Sequence, residues 1–287
     1  MVLRYLRHLL PILSPSFVPP ATGEVMMKVL SEPDSFLPFR QHAPSLANAR
    51  LKIYADLDRF PGEDGAGFFN VLAFRGVFFG SPFAQSDRYR WFDTFDDWEK
   101  FQSEGSEVAK KNGKDGEEEK YYVKRNCYGQ SQTDRSTKLL QKYWDQRLLW
   151  STEFNKPTKP SITEVHKWLS SSSFPNIGRL SALLICGDLI EAGILPMPTA
   201  QEWGGLIYTL RMGANGAMES LGLIRKGASR AEVAKAFMSL NLVLQQELKE
   251  EERAEMNYNV IMLEHTLCKI KRLMTRGIPM NDILQEI

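Results

Sequence analysis

Apolar residues recur every three or four positions through most of the C-terminal half of the chain, and this spacing predicts amphipathic helices. Three sequences of the capping-box type precede such runs, each a Ser or Thr followed three residues later by Glu. They begin at Ser161, Thr199 and Ser229. Because a capping box satisfies backbone N–H groups that a helix leaves free at its start, we expect a helix to begin at each of these residues.

The region 230–276 contains two apolar stripes separated by the almost wholly charged segment 249–255. The first stripe consists of Val233, Phe237, Leu240 and Leu244. The second stripe consists of Val260, Leu263, Leu267, Ile270 and Met274. The pattern permits one long helix with a coiled-coil-like seam at each end, or two helices that fold back near residues 250–257. Under the first interpretation, the second stripe is a candidate interaction surface.

The N-terminal half shows a different pattern. Leu51–Leu57 is a short apolar run with partial alternation, which predicts a strand. Residues 68–79 are rich in Phe and Val and predict either a hairpin that turns at Arg75-Gly76 or one long strand. The expected fold class is therefore α+β, with a small N-terminal hairpin or sheet region followed by a mostly α-helical C-terminal bundle.

Residues 103–120 carry almost no apolar side chains, so burial repays little of the entropy lost when they are ordered. We therefore predict a charged mobile loop or linker over 103–125. It would separate an N-terminal α+β region, residues 1–102 with a basic N-terminal arm, from a helical domain at 126–287. An insertion within a single domain is the alternative.

The composition excludes some classes of protein. The hydrophobic share of 43% in 287 residues is enough for a sizeable core, and the net charge of +1 argues against a global nucleic-acid or membrane footprint. Three widely spaced cysteines do not form a disulfide framework and favour a reducing compartment. No apolar run is long enough to suggest a transmembrane segment. We expect a cytoplasmic protein, or a mitochondrial one if residues 1–23, which are basic and lack acids, act as a presequence.

Paired carboxylates supply the first candidate chemistry. Asp56 and Asp58 stand at the end of the predicted strand, after the apolar residues LKIYA, and a DxD pair in that position is able to hold a divalent metal beside a phosphoryl group. Two solvated carboxylates at a strand end are the simpler interpretation. No organic cofactor is expected.

Two further sets contain cysteine. His265 and Cys268 share a helix face beside Glu264, a spacing that suits two metal ligands, with Cys186 or His166 as further ligands. Cys127 and His166 form a conceivable nucleophile and base, although no local motif supports the pair. In each case a buried thiol in the core is the simpler interpretation.

A basic group closes the last helix and consists of Lys269, Lys271, Arg272 and Arg276. It is a candidate phosphate contact, and together with the aromatic and basic residues 120–125 it suggests nucleic-acid binding. Cations at a helix C-terminus also complement the helix dipole, which needs no ligand.

No motif of a named family is recognised, so these patterns alone carry the functional hypotheses. The first is a non-enzymatic interaction or adaptor protein that acts through helical faces, with a protein partner or by self-association. The alternatives are a metal-assisted transferase or hydrolase that uses the DxD pair, and a nucleic-acid-binding protein.

Overall fold

The computed structural model describes residues 1–19, 23–55, 60, 64–111, 117–129, 131–154, 158–171 and 174–278. Within these ranges the regular structure is helical and no strand occurs. The expected α+β class is therefore wrong for the described chain, and the predicted N-terminal hairpin or sheet is replaced by helices.

Seventeen α-helices can be assigned within the described residues, together with short 3-10 turns and one π-helical turn. In chain order they are α1 Val2–Leu9, α2 Glu24–Ser31, α3 Pro33–Phe36, α4 Pro44–Lys52, α5 Ala66–Ala73, α6 Pro82–Gln85, α7 Phe95–Lys111, α8 Glu117–Tyr122, α9 Leu139–Asp145, α10 Leu149–Phe154, α11 Ile162–Ser171, α12 Arg179–Glu191, α13 Ala200–Leu210, α14 Ala214–Ser220, α15 Arg230–Glu247, α16 Glu250–Glu255 and α17 Val260–Thr275.

The chain divides into two compact units. Unit 1 combines Met1–Ala43 with Pro198–Ile287, and unit 2 consists of Pro44–Met197. These boundaries differ from those expected at residues 102 and 126, which stay predictions about the domain organisation. The charged segment 103–125, expected to be a loop or linker, contains the second half of α7 and all of α8.

Unit 1 is built around α17. This helix packs against α14, α13 and α3, and buries Leu263, Leu267 and Ile270 completely. A second contact joins α13 to α15 at Gly204, where a Cβ would lie 2.9 Å from the Cα of Ala234. Only glycine allows the two helix backbones to approach this closely.

The region 230–276 forms three helices, so the single long helix is wrong and the fold-back alternative is closer to the structure. Helix α15 ends where Leu248 takes an extended conformation. The charged segment becomes the short surface helix α16, and Asn257 then adopts a positive φ of 51°. Asn259 caps α17, because its side chain accepts a hydrogen bond from the backbone N–H of Met262 at 2.9 Å.

The sheet predicted in the N-terminal half of the chain is replaced by helices for a physical reason. Residues 68–79 belong to α5 and to the π-helical turn Phe74–Phe78, and nearly every side chain there is buried. A helix that is surrounded by protein is apolar on all sides, so it loses the 3.6-residue periodicity that distinguishes it from a strand. The other predicted strand is also incorrect in its described part, since Leu51 and Lys52 end α4 and residues 56–57 lie outside the described residues.

A buried ion pair links the π-helical turn to α12 within unit 2. The guanidinium of Arg75 donates to both carboxylate oxygens of Asp188, at 2.5 and 2.6 Å, and neither side chain is more than 1% exposed. Tyr54 donates a further hydrogen bond to Asp188 at 3.2 Å. Burial alone lowers the pKa of Arg75, but the charge and hydrogen bonds of Asp188 raise it above its ordinary value, so the guanidinium is charged at any pH at which the protein folds.

We expect the Arg75→Met substitution to lower the free energy of unfolding by about 3–5 kcal/mol, because it leaves the carboxylate of Asp188 buried without its counter-charge. The matched control is Arg225→Met, since Arg225 pairs with Glu232 at 3.3 Å on the surface with 77% of its side chain exposed. That control should cost at most about 1 kcal/mol. Urea unfolding followed by circular dichroism measures both free energies of unfolding. Equal decreases in the two variants would show that the buried ion pair contributes no more to stability than the exposed one.

Candidate functional site

Helix α15 carries apolar side chains on two faces. The first face, which includes Val233, Phe237 and Leu244, is buried, and the helix packs against α13 on the side marked by the contact with Gly204. The second face contains Ala236, Leu240 and Val243, lies beside the first and lines an open groove. Part of this broad apolar surface is therefore not covered by the helix's own core, since Val243 is 52% exposed.

The groove has a volume of about 600 Å³ and runs between α15 and the segment that joins α14 to α15. Its lining consists of Leu223, Ile224, Arg225, Ala228, Glu232, Lys235, Ala236, Ser239, Leu240 and Val243. Leu223 is 41% exposed and Val243 is 52% exposed. Large apolar side chains therefore face solvent from both walls of one groove.

The wall opposite α15 is held by backbone hydrogen bonds. Gly222 adopts a positive φ of 71°, and the N–H of Leu223 donates to the carbonyl of Met218 at 2.9 Å, which closes the end of α14. The N–H of Ala228 donates to the carbonyl of Arg225 at 3.1 Å just before α15 begins. These bonds fix both ends of the segment, so the position of Leu223 does not depend on a bound partner.

A capping box fixes the other wall where α15 begins. The N–H of Ser229 donates to a carboxylate oxygen of Glu232 at 2.7 Å, and the N–H of Glu232 donates to the hydroxyl oxygen of Ser229 at 3.3 Å. The side-chain and backbone hydrogen bonds of Ser229, followed by the neighbouring Arg225, lower the pKa of Glu232 to about 2. The carboxylate thus remains charged over the whole range in which proteins usually work. The boxes predicted at Ser161 and Thr199 are also confirmed.

The chemistry of this lining is that of recognition. It combines six apolar side chains with two cations, one carboxylate and one hydroxyl, and it contains neither histidine nor cysteine. Such a surface offers burial for apolar groups and a charged rim that orients them.

The second stripe predicted from the sequence lies elsewhere. Val260, Leu263, Leu267 and Ile270 are buried in unit 1, and Met274 is half-buried. They form the face of α17 that packs on its neighbours, so they are occupied by the protein's own core. In the structure the exposed apolar face belongs to α15 instead.

The four basic residues predicted at the end of the last helix, three on α17 and Arg276 just after it, do not form one exposed cluster. Lys269 is 4% exposed and donates to the carbonyl of Asp34 at 2.8 Å, while Arg272 donates to the carbonyl of Ser35 at 3.0 Å. Burial lowers the pKa of the Lys269 amine well below its usual value. Lys271 donates to the hydroxyl of Ser220 at 2.8 Å, and Arg276 lies 3.8 Å from a carboxylate oxygen of Glu32.

The DxD carboxylates Asp56 and Asp58 lie outside the described residues. On α17, the thiol of Cys268 donates to Glu264 at 2.9 Å and His265 is buried. Burial raises the pKa of the Cys268 thiol well above its usual value. In the described ranges, no group of three or more His, Cys, Asp or Glu side chains is placed to hold a metal ion.

The remaining cysteine candidates are core residues of unit 2. The sulfur of Cys127 accepts a hydrogen bond from the buried guanidinium of Arg135 at 2.7 Å. His166 Nε2 lies 3.0 Å from the carbonyl of Arg179, and burial lowers the pKa of the imidazole. Burial also raises the pKa of the Cys186 thiol beyond its usual range.

The groove does not follow from the sequence prediction, which groups Leu240 with the first apolar stripe and gives no role to Leu223 or Val243. One signal was present. Apolar residues at positions 236, 240 and 243 repeat at spacings of four and three, offset from the buried stripe by one position. A helix with two such stripes has two apolar faces.

Comparison with known proteins found no matching family model, no matching curated protein and no matching solved structure. Among the described helices, none is long and apolar enough to cross a membrane.

We expect unit 1 to become less stable as the pH is lowered, because the pKa of Glu232 is lower in the folded protein than in the unfolded chain. The stabilisation is fully present above the ordinary glutamate pKa of 4.5 and is lost as the pH falls towards about 2, where the folded protein takes up the proton. Glu232→Gln should remove this part of the dependence. The control is Glu251→Gln, a change in the first turn of α16. Thermal unfolding between pH 6 and pH 2.5 provides the measurement, and identical profiles for the two variants would contradict the assignment.

Proposed function

We propose that this protein is a non-enzymatic interaction or adaptor protein whose groove on α15 binds an amphipathic helical segment of a partner protein. The observation that carries the proposal is the incompletely covered second apolar face of α15, with Val243 exposed and Leu223 opposite it across an open groove. This keeps the predicted mode of action, recognition through a helical face, and transfers it from α17 to α15.

The dimensions of the groove favour a helix as its occupant. Its lining on α15 extends from Glu232 to Val243, which at 1.5 Å per residue is about 16 Å, or three helical turns. Binding of an amphipathic helix in such a groove uses apolar anchors at positions i, i+3 or i+4, and i+7. A segment of about ten residues would cover the groove from end to end.

The openness of the groove argues against a small molecule. Ligand pockets of similar volume bury most of their ligand's surface, whereas here Leu223 and Val243 remain about half exposed on the two walls. The charged residues Arg225 and Lys235 lie beside the apolar lining, an arrangement typical of a polar rim around a protein-binding site. We infer that acidic residues flank the apolar anchors of the partner.

The other two hypotheses receive less support. The metal-assisted transferase or hydrolase depends on Asp56 and Asp58, which lie outside the described residues. Nucleic-acid binding depends on basic residues that make hydrogen bonds within unit 1 and on residues 120–125, of which Tyr122 and Val123 are buried. Both stay predictions from the sequence.

The test is a selection of peptides of about sixteen residues from a displayed random library, with the full-length protein as the target. We expect the selected peptides to share apolar residues at i, i+3 or i+4, and i+7. Val243→Asp should weaken their binding at least about tenfold, because it removes apolar burial on the order of 1.5 kcal/mol and places a charge in the groove.

The matched control is Leu242→Asp. Leu242 lies on the same helix and is 49% exposed, but it does not line the groove. It should leave the affinity within about twofold of the unmodified protein. Selected peptides that bind the two variants equally well, or a selection that yields no binder, would contradict the proposed function.

A further inference from the structure

The charged residues of the groove are gathered at one of its ends. Glu232 and Lys235 lie near the start of α15, and Arg225 lies in the segment that precedes this helix. Beyond Lys235, the lining that α15 contributes is uncharged and ends with Leu240 and Val243. The groove therefore has a charged end and an apolar end, and a partner that matches it has to be divided in the same way.

Two of the three lining charges already offset each other. Arg225 Nε donates to a carboxylate oxygen of Glu232 at 3.3 Å. The hydrogen bonds of Ser229 hold this carboxylate in place and lower the pKa of Glu232 to about 2, so it stays ionised. A partner carboxylate that approached Arg225 would therefore also approach the negative charge of Glu232, and like charges repel each other.

Lys235 is the lining charge that has no counter-charge within the described residues. Its side chain is exposed, and its ammonium group takes part in no ion pair or hydrogen bond in those ranges. Because Arg225 and Glu232 offset each other, the net charge of the lining is +1 and it is carried by Lys235. The chemistry that complements this end of the groove is one carboxylate.

The spacing along α15 defines where this carboxylate has to lie on the partner. Lys235 precedes Val243 by eight residues, which is about 12 Å along the helix axis. A partner helix that lies along α15 has the same rise per residue. The carboxylate opposite Lys235 is therefore eight residues from the anchor that packs on Val243, whichever way the partner helix runs. This position comes directly after the third apolar anchor of the i, i+4, i+7 set.

We propose that Lys235 determines the specificity of the groove by pairing with one Asp or Glu that stands eight residues from the partner's anchor on Val243. This inference rests on the proposed function, because it names the chemistry of the partner of the same groove. Lys235, rather than Arg225, recognises the acid. The pair also fixes the register of the partner helix, which apolar anchors repeated every three or four residues leave ambiguous.

The first test uses a fluorescein-labelled peptide, selected from the library on the unmodified protein, and measures its affinity for the full-length chain by fluorescence anisotropy at low ionic strength. We expect this peptide to carry Asp or Glu eight residues from a terminal apolar anchor. Lys235→Glu should weaken its binding about tenfold, because a repulsion replaces an attraction, and the loss should shrink at high salt.

The matched control is Lys226→Glu. Lys226 is exposed and undergoes the same change of charge, but it does not line the groove. Its substitution should change the affinity by no more than about twofold, because solvent and salt screen a charge that makes no direct contact. Equal losses in the two variants, or unchanged binding by Lys235→Glu, would overturn the inference.

The second test exchanges the charges of the proposed pair. A peptide with Lys in place of its acidic residue should bind the unmodified protein about tenfold more weakly, and Lys235→Glu should restore its affinity to within about threefold. A second peptide keeps the net charge but has the acid moved by two positions, to another side of the helix. It should bind as weakly as a peptide with Gln at the original position. Full affinity of this second peptide, or no restoration by Lys235→Glu, would disprove the pairing.

The two proposals fail in distinguishable ways. If the selected peptides bind through Val243 with an affinity that Lys235→Glu leaves unchanged, the specificity assigned to Lys235 is disproved and the proposed function stands. If no selected peptide binds through Val243, both proposals fail.

Discussion

The carboxylate of Asp188 and the guanidinium of Arg75 form a buried ion pair that fixes how the helices of unit 2 pack around it. A buried charge is tolerated only when it is paired and hydrogen-bonded, so α12 and the π-helical turn after α5 must keep a fixed position relative to each other. Tyr54 reaches Asp188 from the segment after α4, and Tyr128 donates to the carbonyl of Arg75 at 2.9 Å. Four parts of the chain thus meet at Arg75 and Asp188, three of them through side chains of the ion pair and its hydrogen bond to Tyr54, and the fourth through the backbone carbonyl of Arg75.

Unit 1 follows a different constraint, because its organisation depends on how helices divide their apolar faces. The apolar stripe of helix α17 is buried against α14, α13 and α3. Helix α15 packs against α13 at the close approach of Gly204 to Ala234, and this contact covers only one of its two apolar faces. The exposed face and the fixed position of Leu223 together make the groove, so the candidate site is a consequence of packing that leaves one face uncovered.

The sequence predicted helices where local signals were strong. The capping boxes at Thr199 and Ser229 involve residues within four positions of each other, so their hydrogen bonds could be predicted without knowledge of the tertiary structure. The prediction was wrong for residues 68–79, where burial on all sides removes the polar positions from which helical periodicity is read. It also placed the interaction surface on α17, because a regular apolar stripe looks the same whether it faces solvent or a neighbouring helix.

The sequence by itself therefore determined the helical character of the C-terminal half and the residues at which its capped helices begin, because capping and periodicity are local. Only the tertiary structure decided that Arg75 meets Asp188, 113 residues away, because no local pattern encodes which charges are buried together. It also decided which apolar stripe remains exposed. A stripe on α17 and a stripe on α15 are equivalent as sequence, and they differ because α14 and α13 cover the first while the outer face of α15 borders an open groove.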